Sequence, residues 1–495
     1  MPGHRVRVVA LILGMLAAGW VGWLTRAPGP GLSPDGMSYL GAARSIAAGH
    51  LPYVPFADWS DDDSTSRLRD YPPGFSTLIA VASFPNRPAE SGGRWVEIVA
   101  AFVVVGGIAL ILGRAQGAMT GIAGALAFVA APVFIADYSI VLSEPPFLAI
   151  LVALLGVLAL ESPPVWLVAA LCSAGVMVRY VGLFLAGAAA LSMFLRDGPM
   201  PSRLKRAMGV SLPPLGVFLA WNHWAGGARE YGLKPGFLKT LAQGSVTVQT
   251  WLAPWVDEPL PRLLFALIVL GLVGAAIVGV RRAAPVSPSQ RIRRAALILA
   301  AGFVGMMLFS RLVADDAIIF DDRLLSPLLL FAVVVTASAC GDLWAMWSGR
   351  MRALVASLFV AWLLGSMRLD QPLVNDLLVD GWGYASADWQ SSEVAQWLRT
   401  DGRRYALYSD NASATYSLDH RPSRVIPDST TPAIMAGFGD ALRAHPSALI
   451  GYASPYSPDA PRAGLFARRI GLVQVLRSDE AAVWVTAPAD SQRVR

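Results

Sequence analysis

The chain has 495 residues, 55% of them hydrophobic and 15% charged, with a formal net charge of +6 at pH 7. Soluble globular proteins carry about 25% charged residues, so this composition excludes an ordinary water-soluble globule and points to lipid as the solvent. The basic residues sit in short clusters between apolar runs, as in loops on one membrane face and unlike a nucleic-acid-binding surface.

In chain order, the N-terminal run "HRVRVVALILGMLAAGWVGWL" has basic residues ahead of an apolar stretch long enough to span, and no small-residue cleavage site follows. It reads as a retained first helix, Val6–Leu24. Further spans are expected over Trp95–Leu112, Gly117–Ala136, Pro146–Leu160, Val165–Val178, Val181–Leu195, Ala207–Trp224, Arg262–Val280, Ala295–Leu312, Leu324–Trp344 and Leu354–Met367, about eleven in all. Basic clusters (Arg5/Arg7, Arg114, Arg196–Arg206, Arg281–Arg294, Arg350/Arg352) alternate with acidic loops (Asp58–Asp63, Asp137, Asp257/Glu258, Asp315–Asp322). The positive-inside rule then puts the N-terminus in the cytoplasm. Pro72–Phe84 is too short to cross and reads as a half-helix at the outer surface. The long run Val165–Leu195 reads as a hairpin with Arg179 and Tyr180 at its outer tip.

From about Gln371 the apolar runs end. Ser391–Thr400 has the pattern of an amphipathic helix, Arg403–Ser409 and Ser447–Ala453 of strands, and Leu472–Ala487 of a hairpin. The expected organisation is a spanning domain over 1–370, with a first outer loop over 25–71, and a small extracytoplasmic α/β domain over 371–495. Cys172 and Cys340 each lie within an apolar run, and the five histidines show no ligand-like spacing, which argues against a disulfide scaffold or a histidine metal site.

The first outer loop reads "GLSPDGMSYLGAARSIAAGHLPY" and then "FADWSDDDSTSRLRDYPPGFSTLIA". Locally, Asp35 suits a helix N-cap and Asp61–Asp63 a solvated acidic turn. Glu144, just before Pro145 and Pro146, suits a helix start whose dipole it complements. Arg179 and Arg323, at the outer ends of apolar runs, suit either interfacial anchors or functional charges.

The succession of Asp35-Gly-x-x-Tyr39, a helix ending "AAGHLPY" and then "YPPGFSTL" resembles the first loop of GT-C-type membrane glycosyltransferases. That group includes protein O-mannosyltransferases, lipid A aminoarabinose transferases and the bacterial RgtA/B/C/D-like enzymes. In the same order, "SIVLSEPPFLAILVALL", "VMVRYVGLFLAG", "DDRLLSPLLLF" and "YSDNASATYSLDHRPSRVIP" resemble later segments of those enzymes, so the resemblance covers nearly the whole chain. Gly36 follows Asp35 where some members have a second acid, which sets the chain apart from the protein O-mannosyltransferases.

The resemblance implies a multi-pass enzyme of the bacterial plasma membrane that transfers a sugar from a polyprenyl-phosphate carrier to an acceptor glycan, lipid or protein on the outer face. It implies Asp35 as general base with Glu144 as the second catalytic acid, and Arg323 and Arg179 on the lipid phosphate. Tyr39, Tyr71, Pro72 and Pro73 would shape the site. No cofactor is required by this reading; a divalent cation is left open. The partners implied are the lipid-linked sugar donor and membrane lipid, with no nucleic acid. A transporter or lipid flippase of a cell-envelope glycan pathway is the alternative. It would place ionisable residues near mid-span and show an internal repeat.

Overall fold

A computed structural model describes residues 2–61, 63–226, 237–252, 287–314, 320–344, 346–453 and 460–486. The expected span Arg262–Val280 and the acids Asp257, Glu258 and Asp315 lie outside the described residues. The chain divides into two compact units, one of Met1–Thr25, Arg69–Phe75 and Arg94–Asn375, the other of Arg26–Leu68, Ser76–Gly93 and Asp376–Arg495.

The first unit is helical. Among the described residues five helices are long and apolar enough to cross a membrane: Gly3–Leu24, Ala89–Gln116, Pro288–Val313, Asp322–Trp344 and Gly349–Val379. The chain is thus a multi-pass membrane protein. The run expected as one span over Gly117–Ala136 is broken instead: helices Ala118–Val129 and Pro132–Tyr138 meet at a bend of 68°. Pro132 opens the second of these, where its missing N–H costs nothing, and its ring prevents the first from continuing. Glu144–Leu158, Val165–Val178 and Leu183–Phe194 are shorter apolar helices. The last two form the expected hairpin, joined through Arg179 and the short 3-10 turn Tyr180–Gly182, and both pack on Met200–Ala225. The turn is tight because Gly182 has no side chain: a Cβ there would sit 2.4 Å from the Gly175 carbonyl oxygen.

The second unit contains a six-stranded sheet in the order Phe56–Asp58, Ser423–Val425, Ala406–Ser409, Ser447–Tyr452, Ala481–Val485, Val473–Arg477. The first four strands run parallel and the last two add antiparallel. Ser447–Tyr452 is buried along its whole length, as a parallel strand covered on both faces must be. One face is filled by Tyr408, Leu449, Phe438, Leu442 and Phe466, with the Phe438 and Phe466 rings 5.0 Å apart and edge to face. The edge strand Phe56–Asp58 comes from the first loop, pairing Phe56 with Ser423 and Asp58 with Val425.

The loop is also tied to this unit by charge. Arg44, on helix Pro34–Ala47, donates to the Tyr416 hydroxyl at 2.7 Å and pairs with Glu90. His420 lies 3.7 Å from the same Glu90 oxygen, in the left-handed region at φ 62°. Burial, and then the Arg44 guanidinium, hold the His420 imidazole below its ordinary value, against the opposing pull of Glu90 and Asp419. The folded state therefore binds this proton less readily than the unfolded chain. That contribution to stability is intact above about pH 6.5 and erodes as the pH falls below it. Thermal unfolding scans between pH 7.5 and 5.5 are expected to show a falling midpoint in the natural chain. The fall should be shallower in His420→Asn, whose side chain tolerates the same backbone; equal slopes would remove His420 from the effect.

Candidate active site

Glu144 is the first residue of its helix, 2% exposed, and its carboxylate is held from two sides. Arg179 Nη1 lies 2.8 Å from Glu144 Oε1, and Arg323 Nε lies 3.2 Å from the same oxygen. Arg179 is the C-cap of Val165–Val178, with an extended backbone that turns the chain into the hairpin tip. Arg323 stands in the first turn of Asp322–Trp344. Two helix N-termini, with their partial positive charge, thus meet two guanidinium groups around one carboxylate. The arginine side chains are 14% and 37% exposed against 3% for Glu144, so the acid forms the floor and the cations the open rim.

The start of the Arg323 helix is fixed by its neighbours. Asp321 Oδ1 accepts from the Leu324 amide at 2.8 Å. Trp251 Nε1 donates to Asp322 Oδ1 at 2.8 Å, and the Thr247 hydroxyl donates to the Phe320 carbonyl at 2.8 Å. Beneath Glu144 lie two further buried acids, Asp137 at 1% exposure and Glu97 at 0%, within electrostatic reach of it. Asp137 also feels Arg323 and Arg179. Glu97 Oε1 accepts from the Leu142 amide at 3.1 Å, which fixes the approach to the Glu144 helix, while its Oε2 is buried without a hydrogen-bond partner. Among the described residues no group of three or more histidine, cysteine or acidic side chains is arranged to hold a metal ion.

Tyr71, Pro72, Pro73 and Gly74 belong to the same unit as this cluster, and Pro72 and Pro73 are buried. A Cβ on Gly74 would stand 2.4 Å from the Met177 carbonyl oxygen, two residues before Arg179, so the motif needs glycine to seat against that helix end. At the hairpin tip the Tyr180 hydroxyl donates to the Arg69 carbonyl at 3.1 Å and accepts from Trp221 Nε1 at 2.9 Å.

Asp35 and Tyr39 belong to the second unit. Asp35 is not the N-cap: Ser33 is, its hydroxyl accepting from the Gly36 amide at 3.1 Å, and Asp35 stands in the first helical turn, half-buried. Serine caps as well as aspartate does, and Pro34 between them favours the first helical position. Tyr39 is buried at 3% exposure. The structure thus brings Glu144, Arg179 and Arg323 together, with Tyr71–Pro73 in the same unit. Glu97 was not among the residues the sequence singled out for the site; an ionisable residue inside an apolar run was the available signal for it.

No protein-family model matches the chain, and comparison with curated proteins gives no match. Solved structures do match. ArnT from Cupriavidus metallidurans bound to undecaprenyl phosphate superposes with TM-score 0.58 at 14% identity, over 98% of each chain. Its apo state gives TM-score 0.60 at 13% identity, over 96% of this chain and 97% of that one. The archaeal oligosaccharyltransferase AglB from Archaeoglobus fulgidus, in complex with an inhibitory peptide and a dolichol-phosphate, gives 0.52 at 11% identity, over 94% and 68%. The fold is of the GT-C type.

Removing Glu144 leaves Arg179 and Arg323 without their shared counter-charge. Glu144→Ala is expected to cost about 3–5 kcal/mol, read as a lowered unfolding midpoint in detergent. Glu144→Ala combined with Arg179→Ala should recover part of that loss. A single substitution with no effect on the midpoint would show that the three groups are not coupled.

Proposed function

We propose that the chain is a glycosyltransferase that moves a sugar from a polyprenyl-phosphate carrier to an acceptor glycan, lipid or protein on the outer face of a bacterial plasma membrane. The observation that carries this reading is the paired guanidinium groups of Arg179 and Arg323 on the buried Glu144 carboxylate, in a fold shared with proteins solved with undecaprenyl phosphate and dolichol-phosphate. When the bond from the anomeric carbon to the carrier oxygen breaks, the lipid phosphate gains negative charge. Two guanidinium groups already oriented beside helix N-termini meet that charge without reorganising. Glu144, with one oxygen held by both arginines, is a positioning residue in this scheme: it fixes the planes of the two guanidinium groups.

Asp35 is the general base. Its carboxylate takes the proton of the acceptor hydroxyl as that oxygen bonds to the anomeric carbon and the bond to the carrier oxygen breaks, with inversion of configuration. The carrier leaves as polyprenyl phosphate. The proposed steps use no metal ion. In this orientation the N-terminus is cytoplasmic and the sheet-containing unit faces outward, as the alternation of basic and acidic loops supports.

Transfer from radiolabelled polyprenyl-phosphate sugars, measured in isolated membranes at matched expression, tests both parts. Asp35→Asn is expected to lower the rate by about 10²–10⁴-fold. Arg323→Lys should lower it by about 10²-fold, because a point charge replaces a planar fork. Unchanged transfer in Asp35→Asn would take the base out of the first loop. No transfer by the natural chain from a panel of pentose and hexose donors, alongside carrier movement across the bilayer, would favour the flippase alternative.

A further inference from the structure

A second cation cluster lies within the spanning unit, at the end away from Glu144. The Glu144–Leu158 helix begins at the acid and ends at Leu158, on the wall of a cavity of about 500 Å³. At 1.5 Å per residue its ends lie about 20 Å apart. The hairpin with Arg179 at its tip likewise returns through Leu183–Phe194 to Arg196 on the same cavity. Arg196, Arg206, Arg291 and Arg294 line it together with the acids Glu161 and Asp197, and Leu158, Met193 and Leu195 supply an apolar wall.

Arginines at span ends ordinarily reach outward into water and lipid headgroups. Here four converge on one half-open cavity with two acids. Glu161 is 83% exposed and 3.5 Å from Arg291, so it neutralises little of the interior charge. Arg196 uses both terminal nitrogens on the backbone carbonyls of Leu158, Leu160 and Glu161, and Arg206 bonds the carbonyls of Arg196 and Asp197. These bonds close the ends of two helices, Glu144–Leu158 and Leu183–Phe194, and cancel no charge. The Nε atoms of both arginines are buried without a hydrogen-bond partner, and Arg294 feels the attraction of Asp197, with no hydrogen bond or salt bridge among the described residues. Burial, and then the neighbouring Arg206, Arg291 and Arg294, push the Arg196 guanidinium down to about 10, so the cluster repels itself.

We propose that this cavity binds a phosphate-bearing anion, at a site separate from Glu144. The oxyanion would sit among Arg196, Arg206 and Arg294, where fixed N–H donors and uncompensated charge coincide. The chemistry is shared by an anionic phospholipid headgroup, whose glycerol and acyl portions the apolar wall would cover, and by a soluble phosphate compound.

The test uses the full-length protein, delipidated in detergent, with thermal unfolding followed under three additions: phosphatidylglycerol, phosphatidylcholine with the same acyl chains, and inorganic phosphate. A saturable rise of several degrees with phosphatidylglycerol and none with phosphatidylcholine is expected if a lipid headgroup is the ligand; a rise with millimolar phosphate alone assigns a soluble one. Arg294→Gln, which breaks no hydrogen bond among the described residues, should raise the half-saturating concentration about tenfold without lowering the unliganded midpoint, since it removes one of the mutually repelling charges. Arg206→Gln serves as the second variant, and Arg350→Gln, a basic residue outside the cavity, should leave the response intact. No rise with phosphatidylglycerol or phosphate, a rise equal in the natural chain and Arg294→Gln, or the same loss in Arg350→Gln would overturn the assignment.

Discussion

The carboxylate of Glu144, shared between Arg179 and Arg323, is the constraint on which the arrangement of the spanning unit turns. A carboxylate at 3% side-chain exposure is costly to bury without partners, and a counter-charge between two adjacent guanidinium groups relieves their repulsion. Each arginine comes from a different helix end, so satisfying the charge fixes three chain segments at once: the start of Glu144–Leu158, the tip of the hairpin and the start of Asp322–Trp344. The surrounding close approaches serve the same geometry. Gly182 tightens the tip and Gly74 seats the Tyr71–Pro73 segment against the turn before it, both within distances that no side chain permits.

The spanning unit places cations at both ends, and the two ends treat them differently. Around Glu144 the two arginines are neutralised in part by one acid that stands on a third helix. Around the cavity at Arg196 the guanidinium groups close helix ends through carbonyl oxygens, which satisfies hydrogen bonds and leaves charge over. A static contact census treats these as equally well bonded; Coulomb's law in a medium of reduced polarity does not.

Much of this was legible in the sequence because lipid imposes a simple rule. Apolar runs had to be helices, and the Arg179 hairpin and the Arg323 helix start stand within one or two residues of where hydropathy and charge put them. The strand Ser447–Tyr452 and the hairpin Val473–Val485 were likewise visible in β-branched and aromatic patterning. What escaped was set by tertiary contact. The break at Pro132 was hidden inside an otherwise continuous apolar run. Glu97 sat in another, with only its charge to mark it. Ser33 took the capping position that Asp35 seemed suited to, because two good caps stood two residues apart. The three residues Phe56–Asp58 carry too short a pattern to announce a strand, and nothing local to them names a partner at Ser423.

That last pairing has a consequence for how the chain is made. The strand at Phe56 leaves the ribosome before every spanning helix from Ala89 onward, and its partner at Ser423 only after them. Throughout membrane insertion the first loop therefore waits with one unpaired strand edge, and its pairing closes only once Ser423–Val425 has been made. Ordering so dependent on distant residues is slow, and an open edge is the kind of surface that chaperones and proteases find first. A chain cut short anywhere before Val425 would keep that edge open for good, so the strand pairing checks that every spanning helix between Phe56 and Ser423 has been made.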